Sequence, residues 1–298
     1  MHADSPSSDR IDARTRLVTL LGYPLSHSLS PIIHNAAFRA QGVPMVYLCM
    51  PVPPDDLADA LTGLQALRFV GSNVTIPHKQ AMYGRVDTLS DRARAVGAVN
   101  TVVCRPGSDG ARPSLHGDNT DIVGFLAPLA PYFDRLRGES MLVFGAGGSA
   151  RAVVYALLSA LEPARLWIAA RNTARAEALA TAFAGYDRRG GLSVCAMDDA
   201  PAVRASRLLV NTTPLGMQPN TEATPWPAGG FSPEQIGYDL VYNPRETRFL
   251  ADVAASGALA IGGLDMLIEQ AAASYVQWTG VEMPREVVRQ ALALHLPA

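Results

Sequence analysis

Cysteine is scarce: 298 residues hold three, Cys49, Cys104 and Cys195, an odd number spread far apart. That excludes a disulfide framework, and with no C-x-x-C pair and no His/Cys cluster of ligand spacing it argues against any metal site. The thiols are expected to be reduced, in the core of a cytoplasmic protein. Charge is sparse too: 25 Lys and Arg stand against 27 Asp and Glu, a net charge of -2, with no basic run. Nucleic acid and anionic membrane surfaces are therefore excluded as main partners. No uninterrupted apolar stretch approaches the roughly 18 residues of a membrane span. The opening "MHADSPSSDRIDAR" lacks the apolar segment of a secretory signal, and residues 1–14 are expected to form a disordered tail.

What the sequence does contain is a rhythm of short apolar runs alternating with helix-like stretches. "MVYLCMPV" has the pattern of a strand, "PDDLADALTGLQAL" that of an amphipathic helix and "RFVGSNVTIP" that of another strand. Such alternation indicates βαβ units and an α/β fold with a mostly parallel sheet. A second series begins at "SMLVFGAGGSARAVVYALLSAL" and continues through "ARLWIAAR", "RLLVNTTP" and "IGYDLVYN". Two closing helices, "LDMLIEQAAASYVQWTG" and "PREVVRQALALHL", are placed to pack back on the first series. Two domains are thus expected: residues 15–120 completed by 262–298, and an inserted domain over 121–261.

The inserted segment carries the more specific signal. In "GAGGSA", residues 145–150, Gly145, Gly147 and Ala150 match G-x-G-x-x-[G/A] between an expected strand and an expected helix. Gly145 permits the tight turn, Gly147 lets the backbone approach a pyrophosphate, and Ala150 allows close helix-sheet packing. The phosphates would then sit on the helix N-terminus, against Ala146, Gly148 and Ser149. The next strand ends "IAARNTARAEALA", with Arg171 where an NAD site usually has an acid and Arg175 four residues on. Two guanidinium groups suit a 2′-phosphate, so NADP is favoured over NAD, with surface arginines at a helix start as the alternative.

Polar residues punctuate the first segment at comparable places. "YPLSHSLSPIIHN" places Ser30 before Pro31, the ordinary opening of a helix with serine as its cap. The residue before a proline favours extended geometry, so Ser28 and Ser30 are expected on one side of the chain, where two hydroxyls suit a carboxylate or polyol. Both readings stand at this point. "VGSNVTIPHKQ" sets Asn73 and Thr75 on one face of a strand and Lys79 in the first turn of the next helix, placed for proton transfer or simply solvated. "GAVNTVV" sets Asn100 inside an apolar strand, where an amide needs partners. "GDNTD" offers Asn119, Thr120 and Asp121 at a helix start, one of them as its cap. In an open α/β sheet such positions gather at the carboxyl edge of the strands, where ligands bind.

Taken together, "HSLSPIIHN", "NVTIPHK", "GAVNT", "GDNTD", "GAGGSAR", "NTTPLGM", "DLVYNP" and "GLDMLIEQAA" resemble the shikimate dehydrogenase family from about residue 17 onward. The resemblance implies a substrate domain with an inserted Rossmann domain binding NADP, and reversible reduction of 3-dehydroshikimate to shikimate. It implies that Ser28 and Ser30 hold the substrate carboxylate near Tyr242, and that Asn73, Thr75, Asn100, Asp121 and Gln270 bind ring hydroxyls. Lys79 would transfer the proton, paired with Asp121, while Thr212 and Gly263 join the cofactor site. Two positions depart from the family pattern: Ala170-Arg171-Asn172 replaces N-R-T, and Ile122 stands where glycine is common. Quinate-using and other paralogs, and a non-catalytic NADP-binding sensor, are the alternatives. The expected partner is a small molecule, in a monomer or homodimer.

Overall fold

The computed structural model describes residues 11–296, so residues 1–10 of the expected tail lie outside it. Residues 11–14, counted with that tail, instead lead into a turn closed by Asp12. The Asp12 N–H bonds Thr15 Oγ1 at 2.9 Å and its carboxylate accepts from Arg14 N at 2.8 Å. A short acidic side chain that takes a neighbouring N–H defines a polar segment locally, without a core.

Two compact units divide the chain: residues up to Thr120 with Gln270–His295, and Asp121–Glu269 with Leu296. The first unit contains β1 (Arg16–Gly22), α1 (Ser30–Ala40), β2 (Met45–Pro51), α2 (Leu57–Ala66), β3 (Gly71–Val74), α3 (Lys79–Tyr83), β4 (Thr88–Leu89), α4 (Asp91–Val96), β5 (Thr101–Arg105) and β6 (Ser114–Asp118). The second contains α5 (Asp121–Leu126), α6 (Phe133–Leu136), β7 (Met141–Phe144), α7 (Gly148–Ala160), β8 (Leu166–Ala169), α8 (Thr173–Phe183), β9 (Leu192–Cys195), α9 (Ala200–Ala205), β10 (Leu208–Asn211), β11 (Ile236–Asp239), α10 (Arg248–Ala255) and β12 (Leu259–Ile261). Helix α11 (Gly263–Thr279) crosses from the second unit into the first, and α12 (Arg285–Ala293) follows.

In the first unit the strand order is β2-β1-β3-β5-β6-β4. β1 is paired in parallel on both sides and its last five residues are buried, which explains its near-continuous apolar run. β5, however, is antiparallel to both β3 and β6. One face is packed by Leu57, Leu61 and Leu64 of α2 against Leu21, Val74, Val102 and Leu115. On α11, Trp278 reaches the sheet where Gly71 has no side chain, and its indole N–H donates to the Val102 carbonyl at 3.1 Å.

The second sheet, β12-β11-β10-β7-β8-β9, is parallel throughout. Its order reverses between β7 and β10, the doubly wound arrangement in which ligands sit beyond the carboxyl ends of those two strands. Leu142, Phe144, Leu209, Phe249 and Val253 fill one side of it. Cys104 is buried, whereas Cys49 and Cys195, expected in the core, are only half-buried because they lie on the edge strands β2 and β9. Among the described residues no helix is long and apolar enough to cross a membrane.

In each unit burial works against the charged form of a titratable group that ionises at or below neutral pH. His34 on α1 is fully buried, stacked on Tyr47 at 4.4 Å and tilted toward Trp278 at 5.3 Å. Its nitrogens lack a partner of ordinary hydrogen-bond geometry among the described residues. Burial pushes its pKa down to about 3, outweighing the opposing influence of Asn73. The unfolded chain takes a proton there below about 6.5 and the folded chain does not, so stability falls by about 1.4 kcal/mol per pH unit below that point. Asp239 has the opposite sign. Burial raises its pKa to about 6 despite hydrogen bonds from Thr247, the Val241 N–H and Asn211, so the folded state takes its proton first and gains stability as pH falls through about 6. His34→Phe is expected to remove a loss of about 2 kcal/mol between pH 7 and pH 5 in urea unfolding. An unchanged pH slope would show that the imidazole already charges in the folded protein.

Candidate active site

The polar residues of the first unit meet at one sheet edge, and the antiparallel strand is the reason. Asn73 near the carboxyl end of β3 faces Thr101 at the start of β5, and Thr101 faces Asp118 at the end of β6. Carboxyl ends of β3 and β6 and the amino end of β5 therefore coincide. Asn100 precedes β5 rather than lying inside it, and Thr75 lies just past the end of β3, so the alternation expected for residues 73–76 stops at Val74.

The amides at this edge are held by an internal network. Asn73 Oδ1 accepts from the Tyr47 hydroxyl at 2.8 Å, and Asn73 Nδ2 faces the Asn100 carbonyl at 3.2 Å, Thr101 Oγ1 at 3.2 Å and Ser274 Oγ at 3.0 Å. Asn100 Oδ1 accepts from the Thr120 backbone N–H at 2.7 Å and the Thr101 hydroxyl at 3.0 Å, while Asn100 Nδ2 donates to Thr120 Oγ1 at 3.0 Å. All of these groups are buried. Sequence reasoning does not single out Tyr47, Thr101 or Ser274. Each is a hydroxyl in an otherwise apolar stretch, a signal that gains meaning only once the strands are paired.

Next to this network Asp118 ties β6 to two helices. It accepts from Arg92 Nε at 2.7 Å, from Gln277 at 2.7 Å and from the Asn119 N–H at 2.7 Å, and pairs with the Ser90 hydroxyl. Burial opposes its charge, yet the hydrogen bonds from Arg92 and Ser90 prevail and hold its pKa at about 2.

The serines depart from the expected geometry. Ser30 is already helical, and the cap position belongs to Leu29, which is itself in the right-handed helical region with no side-chain cap bond. The Ser28 hydroxyl accepts from the Ser30 N–H at 3.3 Å. Ser28, not Ser30, thus satisfies an open donor at the start of α1, and the packing of that helix overrides the extended preference before Pro31. The Ser30 hydroxyl lies by the Tyr47 phenol and the Ser28 hydroxyl by the Cys49 thiol, both on the same face of β2. Lys79 opens α3 half-buried, its carbonyl accepting from Val99 N at 2.8 Å, and His78 beside it is buried against the Val52 carbonyl at 2.7 Å. Gln270 is half-buried on α11, where its carbonyl accepts from the Ser274 hydroxyl at 3.1 Å.

In the second unit Asp121 is buried as the first residue of α5, and Ile122 is buried beside it. Tyr242 is half-buried past the end of β11, and burial raises its pKa. The glycine turn lies between β7 and α7 as expected. Gly145 has φ +113°, which favours glycine, and the Thr212 hydroxyl donates to the neighbouring Phe144 carbonyl at 2.7 Å, so Thr212, just past β10, braces the turn. Gly147 is the cap residue of α7 with no side-chain cap bond and no acid in the first turn, and Gly147 and Gly148 face open space. The backbone N–H groups of Gly148, Ser149 and Ala150 are therefore left without a local carboxylate or hydroxyl, and Ala146 extends the turn. Gly263 packs against the backbone at the end of β11, its N–H donating to the Val241 carbonyl at 3.3 Å, where a side chain would strike the Leu240 carbonyl.

Arg171 and Arg175 are exposed, and neither guanidinium makes a hydrogen bond or ion pair with the described residues. Asn172 between them is spent as the cap of α8, accepting from the Arg175 N–H at 3.0 Å. Among the described residues no three His, Cys, Asp or Glu side chains are grouped to hold a metal.

Residues 20–102 match the family model of the shikimate dehydrogenase substrate binding domain, and residues 263–293 match that of the shikimate 5'-dehydrogenase C-terminal domain. The shikimate dehydrogenase (NADP(+)) of Salinibacter ruber is 56% identical over 286 residues, covering 95% of this chain and 98% of its own. Among solved structures, a shikimate dehydrogenase in complex with NADP+ superposes with a TM-score of 0.88 at 35% identity, covering 97% of this chain and 98% of its own. The Thermus thermophilus shikimate 5-dehydrogenase in complex with NADP(H) and shikimate gives 0.80 at 36%, covering 95% and 100%. With identity of this order along nearly its whole length, the chain belongs to the shikimate dehydrogenase family.

Proposed function

We propose that the protein is an NADP-dependent shikimate dehydrogenase that interconverts 3-dehydroshikimate and shikimate. The observation that carries this reading is the near-full-length identity to the Salinibacter ruber enzyme. The geometry of both units is compatible with it. The uncapped start of α7 and the open space at Gly147 and Gly148 fit a dinucleotide pyrophosphate, and the two unengaged guanidiniums fit a 2′-phosphate. Residues 145–150 would hold the cofactor with Arg171, Arg175, Thr212 and Gly263. Bound NADPH supplies the hydride.

The chain's own groups do the remainder. Ser28 and Ser30 bind the substrate carboxylate. Thr75, Asn100 and Gln270 contact ring oxygens, with Asn73 as the amide that holds Asn100 in place. Lys79 delivers the proton to the carbonyl oxygen as hydride arrives, and Asp121 is the second catalytic residue. Mixing the protein with shikimate and NADP, and following absorbance at the nicotinamide band, tests the assignment. No turnover would favour a non-catalytic sensor, and turnover of quinate in preference to shikimate would place the chain on the quinate side.

Lys79→Ala should lower kcat by about 10² to 10⁴ with a smaller change in KM, the usual scale for a lost general acid. A kcat near wild type removes Lys79 from the chemistry. The serines should separate in the other sense from a simple capping rule. Ser28→Ala is expected to raise KM for shikimate and cost about 1 kcal/mol in thermal unfolding, because Ser28 takes the Ser30 N–H. Ser30→Ala should raise KM with no lost cap. An unaltered KM in both would take the carboxylate away from this loop. For the cofactor, losing a bidentate phosphate contact costs on the order of 2 kcal/mol, roughly thirtyfold in affinity. Arg171→Asp should therefore weaken NADP by about that factor and leave NAD similar or better. Comparing kcat/KM for both cofactors decides it, and a preference that does not move would leave Arg171 as surface charge.

A further inference from the structure

Phe144, Asn211 and Asp239 are the last residues of β7, β10 and β11 and stand in one row of the parallel register. Asn211 opens the segment "NTTPLGM" and Asp239 opens "DLVYNP", and both side chains are fully buried. Matched positions on neighbouring parallel strands share a face, so the amide and the carboxyl meet: Asn211 Nδ2 donates to Asp239 Oδ1 at 2.9 Å. The same Oδ1 accepts from the Val241 N–H at 3.0 Å, and Asp239 Oδ2 accepts from the Thr247 hydroxyl at 2.6 Å.

The other end of Asn211 folds the chain that follows it. Its Oδ1 accepts from the Thr213 N–H at 3.0 Å and the Thr213 hydroxyl at 2.6 Å, while Nδ2 also donates to the Leu215 carbonyl at 3.2 Å. The Leu215 N–H donates in turn to Thr213 Oγ1 at 3.2 Å. A backbone N–H can only donate, and a backbone carbonyl or a carboxylate oxygen can only accept. Turning the amide over would therefore set its NH2 group against the Thr213 N–H, and its oxygen against both Leu215 and Asp239. Its orientation is decided.

The segment held in this way carries Thr212, whose N–H and hydroxyl both donate to the Phe144 carbonyl, at 2.9 and 2.7 Å. Gly145 comes next in the chain, and a side-chain carbon there would strike Thr212 Oγ1. The glycine turn thus rests on residue 212. We infer that Asp239, Asn211 and Thr213 are positioning residues for the cofactor site: the carboxylate orients the Asn211 amide, the amide folds residues 212–215, and that fold seats Thr212 against the turn. The inference rests on the NADP reading and extends it to three residues away from the phosphate-binding N–H groups. Because this chain of contacts ends on the backbone of the turn and not on a 2′-phosphate, loosening it should weaken NADP and NAD alike.

Four variants test the inference at about pH 8, where Asp239 is ionised. Thr213→Val and Asp239→Ala remove hydrogen bonds to Asn211, whereas Thr213→Ser and Asp239→Asn keep an oxygen in the same place. Calorimetric titration of the ligand-free protein should show NADP and NAD each weakened about tenfold in the valine and alanine variants, the scale of one lost buried hydrogen bond. Stoichiometry should be unchanged, and the serine and asparagine variants should bind nearly as wild type. At saturating NADP and shikimate, kcat should move less than KM for NADP. Amide exchange provides a reading without cofactor: the Thr212 N–H, whose own partner none of these variants touches, should exchange about tenfold faster in Thr213→Val. Should Asp239→Ala fail to fold, the Thr213 pair, at a half-buried position, carries the test. A wild-type protein that binds no NADP would refute the cofactor reading itself. With NADP bound normally by the wild type, an unaltered affinity in Thr213→Val, a loss confined to NADP, or an unchanged Thr212 exchange rate would overturn the positioning role alone.

Discussion

Buried amides and hydroxyls must find partners, and in the first unit that requirement is met at a single sheet edge. An unpaired buried polar group costs on the order of 1–3 kcal/mol, so a cluster of five or six such side chains is tolerable only when every proton has a destination. The antiparallel entry of β5 between β3 and β6 provides the destinations, because it brings Asn73, Asn100, Thr101 and Thr120 to one place with their backbone groups already committed. Helix α11 adds Ser274 from above the sheet, and Gly71 lets Trp278 of the same helix lie close enough to hold it there. Remove the antiparallel strand and the same residues would be scattered over two edges.

The second unit solves a different problem by omission. Its glycine turn supplies few side chains; instead α7 begins with no cap, no acid and no Cβ at the two positions that face outward. An N-terminus left open in this way retains its partial positive charge for an anion, whereas α8 in the same unit has its own N-terminus satisfied by Asn172. The contrast lies between two helices of one unit, one whose start is left open and one whose start is closed by its own side chain. It also clarifies the departure at Ala170-Arg171-Asn172: the asparagine of this trio serves the helix, and the exposed arginine makes no hydrogen bond or ion pair with the described residues.

Much of this was legible in the sequence, and what was not has identifiable causes. The strand-glycine-helix signal at 141–160 survives because β7, the turn and α7 are contiguous, and each residue type is dictated by its own backbone. The direction of β5 was hidden, since "VNTVVC" has the same apolar pattern whichever way it pairs. β9 and β12 escaped notice because "LSVC" and "LAI" are short and sit at sheet edges. The roles of Ser28 and Ser30 were reversed by one residue of helix start, a shift that local preference before Pro31 argues against and tertiary packing imposes. Thr101 and Ser274 are 173 positions apart, and no local pattern can report that their hydroxyls touch.

The helix that belongs to both units has a consequence for anyone cutting or recombining the gene. A fragment ending at Glu269 would sever a 17-residue helix in its second turn, leaving a stub well below the roughly 12–15 residues at which an isolated helix becomes even marginal. A fragment ending before Gly263 would leave the helix uncut but outside it, and would lose the contact of the helix's opening residue with the backbone past the end of β11. At the other crossing the chain passes directly from Thr120, hydrogen-bonded within the network, to Asp121 at the head of α5. Neither crossing offers a slack segment, so chimeras that exchange residues 121–269 between relatives need their junctions inside matched secondary structure, with the donor's helix phase preserved residue for residue.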